Sequence, residues 1–229
     1  MERFEKIYPF TTENIAGYMD MDLTNKKIIT VTGSSDQIIN AILQGCNDIT
    51  TFDINPLTKE FMDLKLKKIK ELTLKEYLEY FSNLDKDKYN YKYFDIQNKI
   101  DCNLYLNEEK YNIIRERLDD VKITFIESNL NELELNDNYD YMFLSNISDY
   151  IEMFCNNLDN YKKLIDKFLN NVKTIYFAYI YDINSTSKRS MIDKIDEVEK
   201  IFGIIKIKKF KTALINVDDT LDAVLIKEA

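Results

Sequence analysis

Residues 30–56 read TVTGSSDQIINAILQGCNDITTFDINP, and this stretch decides the fold. Its first letters close a β-branched run, which predicts a buried strand that stops at Gly33. Apolar residues then recur at helical spacing from Asp36 until Gly45 ends the helix. A second strand is predicted over Ile49–Ile54. Two neighbouring strands joined by one helix imply parallel strands and a right-handed crossover.

The rest of the chain extends this alternation into a larger sheet. Further strands are predicted at 121–126, 139–144, 172–180, 204–210 and 221–226, and helices at 57–72, 73–81, 108–118, 157–170 and 191–202. Residues 204–210 alternate apolar side chains with lysine, which is typical of a half-exposed antiparallel strand. The predicted fold is therefore α/β and Rossmann-like. It has a seven-stranded, mostly parallel sheet, an antiparallel C-terminal hairpin and helices on both faces.

One domain is predicted over residues 1–229, with an insertion at about 73–120. Thr73 and Glu76 form a capping box in front of the helical sequence TLKEYLEYF. The residues after this helix are polar and aromatic and show no clear period. We interpret the block as a lid or as a surface for a substrate, because inserted loops often carry specificity.

Composition excludes several kinds of chemistry. The chain has 229 residues and no histidine, so it has neither a Ser-His-Asp triad nor a histidine-based metal site, and no metal is predicted. Its net charge of -9 disfavours binding to nucleic acid. The three cysteines lie far apart, which is typical of reduced thiols in a cytoplasmic protein. Neither a signal peptide nor an apolar run of membrane-spanning length is found.

A run of lysines follows the second predicted strand. Its members are Lys59, Lys65, Lys67, Lys68, Lys70 and Lys75. The favoured interpretation is a solvated helix face. Contact with an anionic partner or a membrane surface stays open as the alternative.

Polar residues follow four of the predicted strands. Because the carboxyl ends of parallel strands meet at one edge of a sheet, we expect these residues to lie close together and to bind a ligand. The candidate cofactor-binding residues are Thr32, Gly33, Ser34, Ser35, Asp53, Ile54, Asn55, Ser128, Asn129, Leu130, Ser145 and Asn146.

Each group in this set suits a part of a nucleoside ligand. Gly33 allows a tight turn and close approach of the backbone. Ser34, Ser35 and the helix start after them offer N–H donors to an anionic group. Asp53 suits the two hydroxyls of a ribose, and Asn129 suits an adenine amino group.

Structural roles compete with these assignments. Asp53 or Asn55 is equally suited to cap the helix that begins near Pro56. Asp36 is suited to the N-terminus of its own helix. Ser145 and Asn146 fit an ordinary loop.

The identity of the ligand depends on Ser35. This residue stands where the dinucleotide fingerprint G-x-G-x-x-G has its second glycine, and a side chain there hinders a pyrophosphate. NAD and FAD are therefore disfavoured, and with them a nicotinamide-dependent oxidoreductase. S-adenosylmethionine fits better, because it has no pyrophosphate. The closing antiparallel pair is also similar to the sheet of class I S-adenosylmethionine-dependent methyltransferases.

A more specific resemblance rests on four segments. They are DINP at 53–56, LKL at 64–66, TLKEYLEYF at 73–81 and FLSNISDYI at 143–151. Together they resemble the family of S-adenosylmethionine:diacylglycerol aminocarboxypropyltransferases, which act in betaine-lipid synthesis. The resemblance implies a Rossmann-like domain that binds S-adenosylmethionine and transfers its methyl or aminocarboxypropyl group.

The sequence thus predicts an S-adenosylmethionine-dependent transferase that acts on a small molecule or a lipid headgroup. Asp149 and Tyr150 are the candidate catalytic residues, as proton acceptors, and a structural role for each stays open. No nucleic-acid partner is expected, while peripheral membrane contact stays open. The alternative from another class is a non-catalytic module that binds S-adenosylmethionine or a nucleotide.

Overall fold

The structure is a computed structural model that describes residues 4, 7–83, 96–150, 157–183, 195–214 and 220–229. Its strands are β1 (Lys27–Val31), β2 (Asp48–Asp53), β3 (Lys122–Glu127), β4 (Tyr139–Phe143), β5 (Val172–Ile180), β6 (Lys206–Lys211) and β7 (Leu221–Glu228). The α-helices are α1 (Asp36–Leu43), α2 (Leu57–Glu71), α3 (Leu74–Asn83), α4 (Ile96–Cys102), α5 (Glu108–Arg117), α6 (Leu158–Phe168) and α7 (Ile195–Phe202). The first four residues of the helix predicted at 191–202 lie outside the described residues.

The strands form one sheet in the order β3-β2-β1-β4-β5-β7-β6. The first five in this order run parallel, whereas β7 pairs antiparallel with both β5 and β6. This arrangement confirms the predicted fold. The chain steps outward from β1 through β2 to β3 and then returns to the other side of β1 with β4. The topological switch point therefore lies between the carboxyl ends of β1 and β4.

Hydrophobic cores lie on both faces of the sheet. Ile28 and Ile29 are neighbours in β1, and because side chains alternate along a strand they belong to two different buried clusters. One cluster packs α1, α2, α3 and α5 against the sheet, and the other packs α6 and α7 against it. The helices thus cover both faces, as the sequence predicts.

Residues 73–120 follow α2 and precede β3, and they carry α3, α4 and α5. Residues 84–95 of this block lie outside the described residues. The capping box is confirmed: the Thr73 N–H donates to Glu76 Oε2 over 2.8 Å, and the Glu76 N–H donates to Thr73 Oγ1 over 3.3 Å. Tyr77, Tyr105 and Tyr111 from this block are buried in the same cluster as residues of β1 and α1. A role of the block as a lid or substrate surface stays a prediction.

The segment before β1 is part of the core. Phe10, Ile15 and Tyr18 are buried. The Asn14 N–H donates to the Tyr179 hydroxyl over 2.9 Å, which fixes the segment to β5. The sequence pattern assigned no element here, because these apolar residues follow neither a helical nor an alternating period.

Two further findings concern thiols and membranes. Cys46 and Cys102 are buried free thiols, and Cys155 lies outside the described residues. Within the described ranges, no helix has both the length and the apolar character needed to cross a bilayer.

Candidate active site

A cavity of about 130 Å³ opens at the switch point between the ends of β1 and β4. Three segments line it. They are Tyr8, Thr11, Thr12 and Glu13 from the segment before β1; Val31, Thr32, Gly33, Ser34, Asp36 and Gln37 from the end of β1 and the start of α1; and Ser145, Asn146 and Tyr150 after β4. This is the position at which open α/β sheets bind their ligands.

The turn after β1 has an unusual backbone. Gly33 has φ +46°, and an added Cβ would meet no atom within 4 Å, so the space above the turn is open. Ser35 also lies in the left-handed region, with φ 69°, which costs free energy in a residue with a side chain. Ser35 does not line the cavity, and its buried Oγ has no hydrogen-bond partner among the described residues.

Asp53 ties the end of β2 to this turn. Its Oδ2 accepts the Gly33 N–H over 3.0 Å, and its Oδ1 accepts the Asn55 N–H over 3.0 Å. Burial raises the pKa of Asp53, whereas the backbone hydrogen bonds from Asn55 and Gly33 lower it. Asn55 is the residue that caps α2, because its Oδ1 accepts the Leu57 N–H over 3.1 Å. Hydrogen bonds from the Thr58 side chain and the Ile54 backbone also lower the pKa of Asp53. Asp53 lies beside the cavity without lining it.

The neighbour of Asp53 offers a different surface. The side chain of Ile54 is 59% exposed, although it lies at the edge of the sheet between two polar residues. A single exposed apolar side chain is common on protein surfaces, and this one is accessible to an apolar part of a ligand at the edge of the sheet.

The residues after β3 make hydrogen bonds and core contacts within the protein. The side-chain oxygen Oδ1 of Asn129 accepts the N–H groups of Asn131 and Glu132 over 2.9 and 3.1 Å, which closes a turn. Leu130 is buried in the core at 3% exposure. The Ser128 N–H donates to the Asp53 carbonyl oxygen over 3.1 Å, so this segment reaches the site through its backbone.

The residues after β4 form a short 3-10 helix, Ser145–Tyr150, at the other side of the cavity. Ser145 has φ 57°, and its Oγ donates to the Glu13 carboxylate. Tyr150 is 49% exposed and lines the cavity together with Tyr8, and burial raises the pKa of Tyr150. Asp149 is half-buried and does not line the cavity.

Glu13 is a site residue that sequence reasoning missed. It lines the cavity at only 1% exposure. Besides Ser145, the Tyr18 hydroxyl donates to its Oε2 over 2.7 Å. Burial raises the pKa of Glu13 to about 7, hydrogen bonds from Ser145, Tyr18 and the Asn146 backbone lower it, and the charge of Asp149 raises it. No sequence signal marks Glu13, because 132 residues separate it from Ser145.

A buried ion pair supports the turn from below. Asp36 and Lys65 are fully buried, and Lys65 Nζ lies 2.5 Å from Asp36 Oδ1. The Tyr105 hydroxyl donates to the same oxygen over 2.6 Å. The other oxygen, Oδ2, accepts the Thr11 N–H over 2.5 Å and the Ser34 hydroxyl over 2.9 Å. Asp36 therefore joins the segment before β1, the glycine turn, α2 and the 73–120 block, which goes well beyond a role at its own helix terminus.

The prediction of a solvated lysine face is wrong for Lys65. Its Nζ donates to the carbonyl oxygens of Pro9 and Ser34 over 2.9 and 2.8 Å. Lys65 lies between the buried Phe61 and Ile69 at i, i+4 and i+8, and this spacing is the signal that it belongs to the buried stripe. The remaining members Lys59, Lys67, Lys70 and Lys75 are exposed, and Lys68 is half-buried.

Comparison with solved structures finds this fold in a methyltransferase. WbdD, a bifunctional kinase-methyltransferase, matches with a TM-score of 0.51 at 8% identity, over 89% of this chain and 34% of its own. The chain thus spans about a third of the length of WbdD. No family model and no curated protein sequence matches the chain.

Two further methyltransferase structures match with lower scores. The plantazolicin methyltransferase BpumL, in complex with SAH, gives a TM-score of 0.46 at 12% identity, over 100% of this chain and 88% of its own. Magnesium protoporphyrin IX methyltransferase from Synechocystis PCC 6803, with bound SAM, gives 0.43 at 10% identity, over 90% and 72%.

The strand order and the match to WbdD define the class of fold. The chain has the seven-stranded Rossmann-like fold that is found in S-adenosylmethionine-dependent methyltransferases. At 8% identity the likeness concerns the fold, and the chemistry of this chain is argued from its own residues.

Proposed function

We propose that this protein binds S-adenosylmethionine and transfers its methyl or aminocarboxypropyl group to a small molecule or a lipid headgroup. The observation that carries the proposal is the hydrogen bond between Asp53 Oδ2 and the Gly33 N–H. Through this bond an acid at the end of β2 lies beside the open glycine turn after β1, and that turn lines the cavity at the switch point.

The residues at this edge fit the parts of S-adenosylmethionine. The carboxylate of Asp53 suits the ribose hydroxyls as a hydrogen-bond acceptor, and the exposed Ile54 suits the adenine ring. The cavity lined by Gly33, Ser34 and Ser145 suits the amino-acid end and the transferred group. The open space above Gly33 is what a closely bound ligand needs.

The choice of transferred group depends on orientation. The positive sulfonium activates every carbon bonded to it, so the carbon that faces the acceptor in line is the one attacked. The resemblance to aminocarboxypropyltransferases supports one outcome, and the fold shared with methyltransferases supports the other. Turnover separates them, because methyl transfer releases S-adenosylhomocysteine and aminocarboxypropyl transfer releases methylthioadenosine.

Calorimetry with S-adenosylmethionine, S-adenosylhomocysteine and methylthioadenosine tests the proposal. We expect all three to bind, since they share the adenosine part that Asp53 and Ile54 would hold. Absence of binding of all three contradicts the proposal. Binding without turnover of any acceptor supports the non-catalytic module instead, but the cavity beside Ser145 and Asn146 favours a transferase.

Replacing Asp53 with alanine is expected to weaken binding of S-adenosylmethionine by about 1–3 kcal/mol, because hydrogen bonds to a charged group are lost. The control is Asp48→Ala, which removes the same charge from the other end of β2 and is expected to leave binding unchanged. Calorimetry measures both variants. An unchanged affinity together with lowered stability would show that Asp53 only holds the turn.

Replacing Gly33 with alanine is expected to separate binding from stability. The left-handed φ costs about 1–2 kcal/mol for alanine, while the space around the new methyl group is open in the protein alone. Gly203→Ala is a matched control, because Gly203 has φ +71° and equally open space. Both variants are expected to lose similar stability in urea unfolding. Only Gly33→Ala is expected to weaken binding of S-adenosylmethionine, and equal affinities would place the ligand away from this turn.

A further inference from the structure

Two buried carboxylates line the cavity, and they differ in one respect. Asp36 has its own cation, because Lys65 Nζ lies 2.5 Å from its Oδ1. Glu13 has none: among the described residues, no lysine or arginine nitrogen lies within 4 Å of its carboxylate. The partners described for it are the hydroxyls of Ser145 and Tyr18, the Asn146 backbone and, at 3.5 Å, Gln37 Nε2.

No cation is among the groups that shift the pKa of Glu13. The buried Lys99 lies in the same region, but its Nζ donates to the Thr11 carbonyl oxygen over 2.9 Å. Asp149 in the 3-10 helix after β4 acts on Glu13 as a like charge. Three tyrosines also face Glu13: Tyr18 before β1, Tyr179 in β5 and Tyr181 after it. Burial raises their pKa values well above the usual range, and the negative charge of Glu13 raises them further. A buried anion without a counter-ion is costly, so the fold keeps Glu13 at a stability cost.

A cation that enters the cavity would remove this cost. The carboxylate oxygens accept hydrogen bonds, so a cation with N–H donors is favoured over one without them. A metal ion is disfavoured, because the described residues contain no group of three or more His, Cys, Asp or Glu side chains that could hold one. The half-exposed rings of Tyr8 and Tyr150 at the cavity add aromatic faces, which attract organic cations.

We propose that Glu13 is the binding partner of an ammonium group that enters the cavity between the ends of β1 and β4. The group has two sources, the amino-acid end of the cofactor or an amine that accepts the transferred group. The first source rests on the proposed function, whereas binding of an amine is independent of it.

Calorimetry on the wild type and Glu13→Gln separates the two sources. The probes are S-adenosylhomocysteine, which has an ammonium group, methylthioadenosine, which lacks it, and butylamine, with uncharged butanol as its control. At least about tenfold weaker binding of S-adenosylhomocysteine in Glu13→Gln, with methylthioadenosine unchanged, assigns the ammonium group of the cofactor. Unchanged binding of both nucleosides with loss of butylamine binding assigns an amine acceptor. Glu132→Gln, an exposed change of equal charge, is expected to alter none of these affinities.

The opposing outcomes are distinct. If Glu13→Gln binds all three probes as the wild type does, the Glu13 proposal is wrong. If the wild type binds no nucleoside, the proposed function fails, and butylamine against butanol then decides the Glu13 proposal alone; equal binding of the two overturns it.

A measurement on the wild type alone tests the proposal even if Glu13→Gln does not fold. Because burial raises the pKa of Glu13 to about 7, its carboxylate becomes neutral below that pH, and an ammonium ligand then loses its partner. The affinity for the ammonium-bearing probe, relative to methylthioadenosine or butanol, is expected to fall by several-fold between pH 7.5 and pH 6. A constant ratio would contradict the proposal.

Discussion

The free energy of unfolding of Glu13→Gln minus that of the wild type is expected to be about 2 kcal/mol larger at pH 8 than at pH 5.5. The pKa of Glu13 is raised from its ordinary value of 4.5 to about 7 by burial. Between these two values the unfolded chain has lost the proton and the folded protein still holds it. The wild type therefore loses stability as pH rises through this window, on the order of 3 kcal/mol in total, and glutamine does not titrate.

Urea unfolding of both proteins at pH 5.5 and pH 8 measures this difference and keeps away from the isoelectric point near 4.8. The pH dependence of the stability difference between the two proteins is the test of the prediction. Its absolute size is not, because glutamine also alters the hydrogen bonds to Tyr18 and Ser145. Glu132→Gln provides the comparison for removal of an exposed charge. A difference between wild type and Glu13→Gln that stays constant with pH would show that Glu13 is ionised in the folded protein throughout this range.

Replacing Lys65 with methionine is expected to destabilise the protein by about 3–5 kcal/mol. Methionine fills much of the same space beside the rings of Phe10, Phe61 and Phe81, but it leaves Asp36 buried without its cation. Burial lowers the pKa of Lys65 and the charge of Asp36 raises it, so Lys65 depends on Asp36 for its charged form. Urea unfolding measures the loss.

A control variant and a double variant test whether loss of the Asp36–Lys65 ion pair causes the destabilisation. Lys67→Met lies on the same helix with a 68% exposed side chain, and its loss is expected to stay near 0.5 kcal/mol. Lys65→Met combined with Asp36→Asn removes both charges and is expected to cost less than the sum of the two single changes. Additive losses would mean that the two side chains stabilise the fold independently.

The fold is predictable because its signals are local. Each of these signals is contained in a short stretch of sequence. Examples are the β-branched run that ends at Gly33, the helix that ends at Gly45 and the capping box of Thr73 and Glu76. Apolar periodicity and turn residues report such local structure directly. The antiparallel β6 follows in the same way from its alternating lysines.

The site is only partly predictable because its contacts are long-range. Local rules bring Gly33 and Asp53 to one edge, since both follow strands of a parallel sheet. Nothing local connects Glu13 with Ser145 or Asp36 with Tyr105, which lie 132 and 69 residues apart. Charge alone is an unreliable predictor of exposure, as Lys65 shows. Its helical spacing predicts a buried side chain, whereas lysine as a residue type predicts an exposed one.

The lysines of β6 also bear on how copies of the protein meet. β6 is an outer strand of the sheet, and Lys206, Lys208, Lys209 and Lys211 place four positive charges along its six residues. A second β6 that approached edge to edge would bring like charges together, and lysine on an exposed edge is a known protection against such pairing. The strand thus acts as a barrier to sheet extension and to fibril-like association, although the chain as a whole carries a net charge of -9.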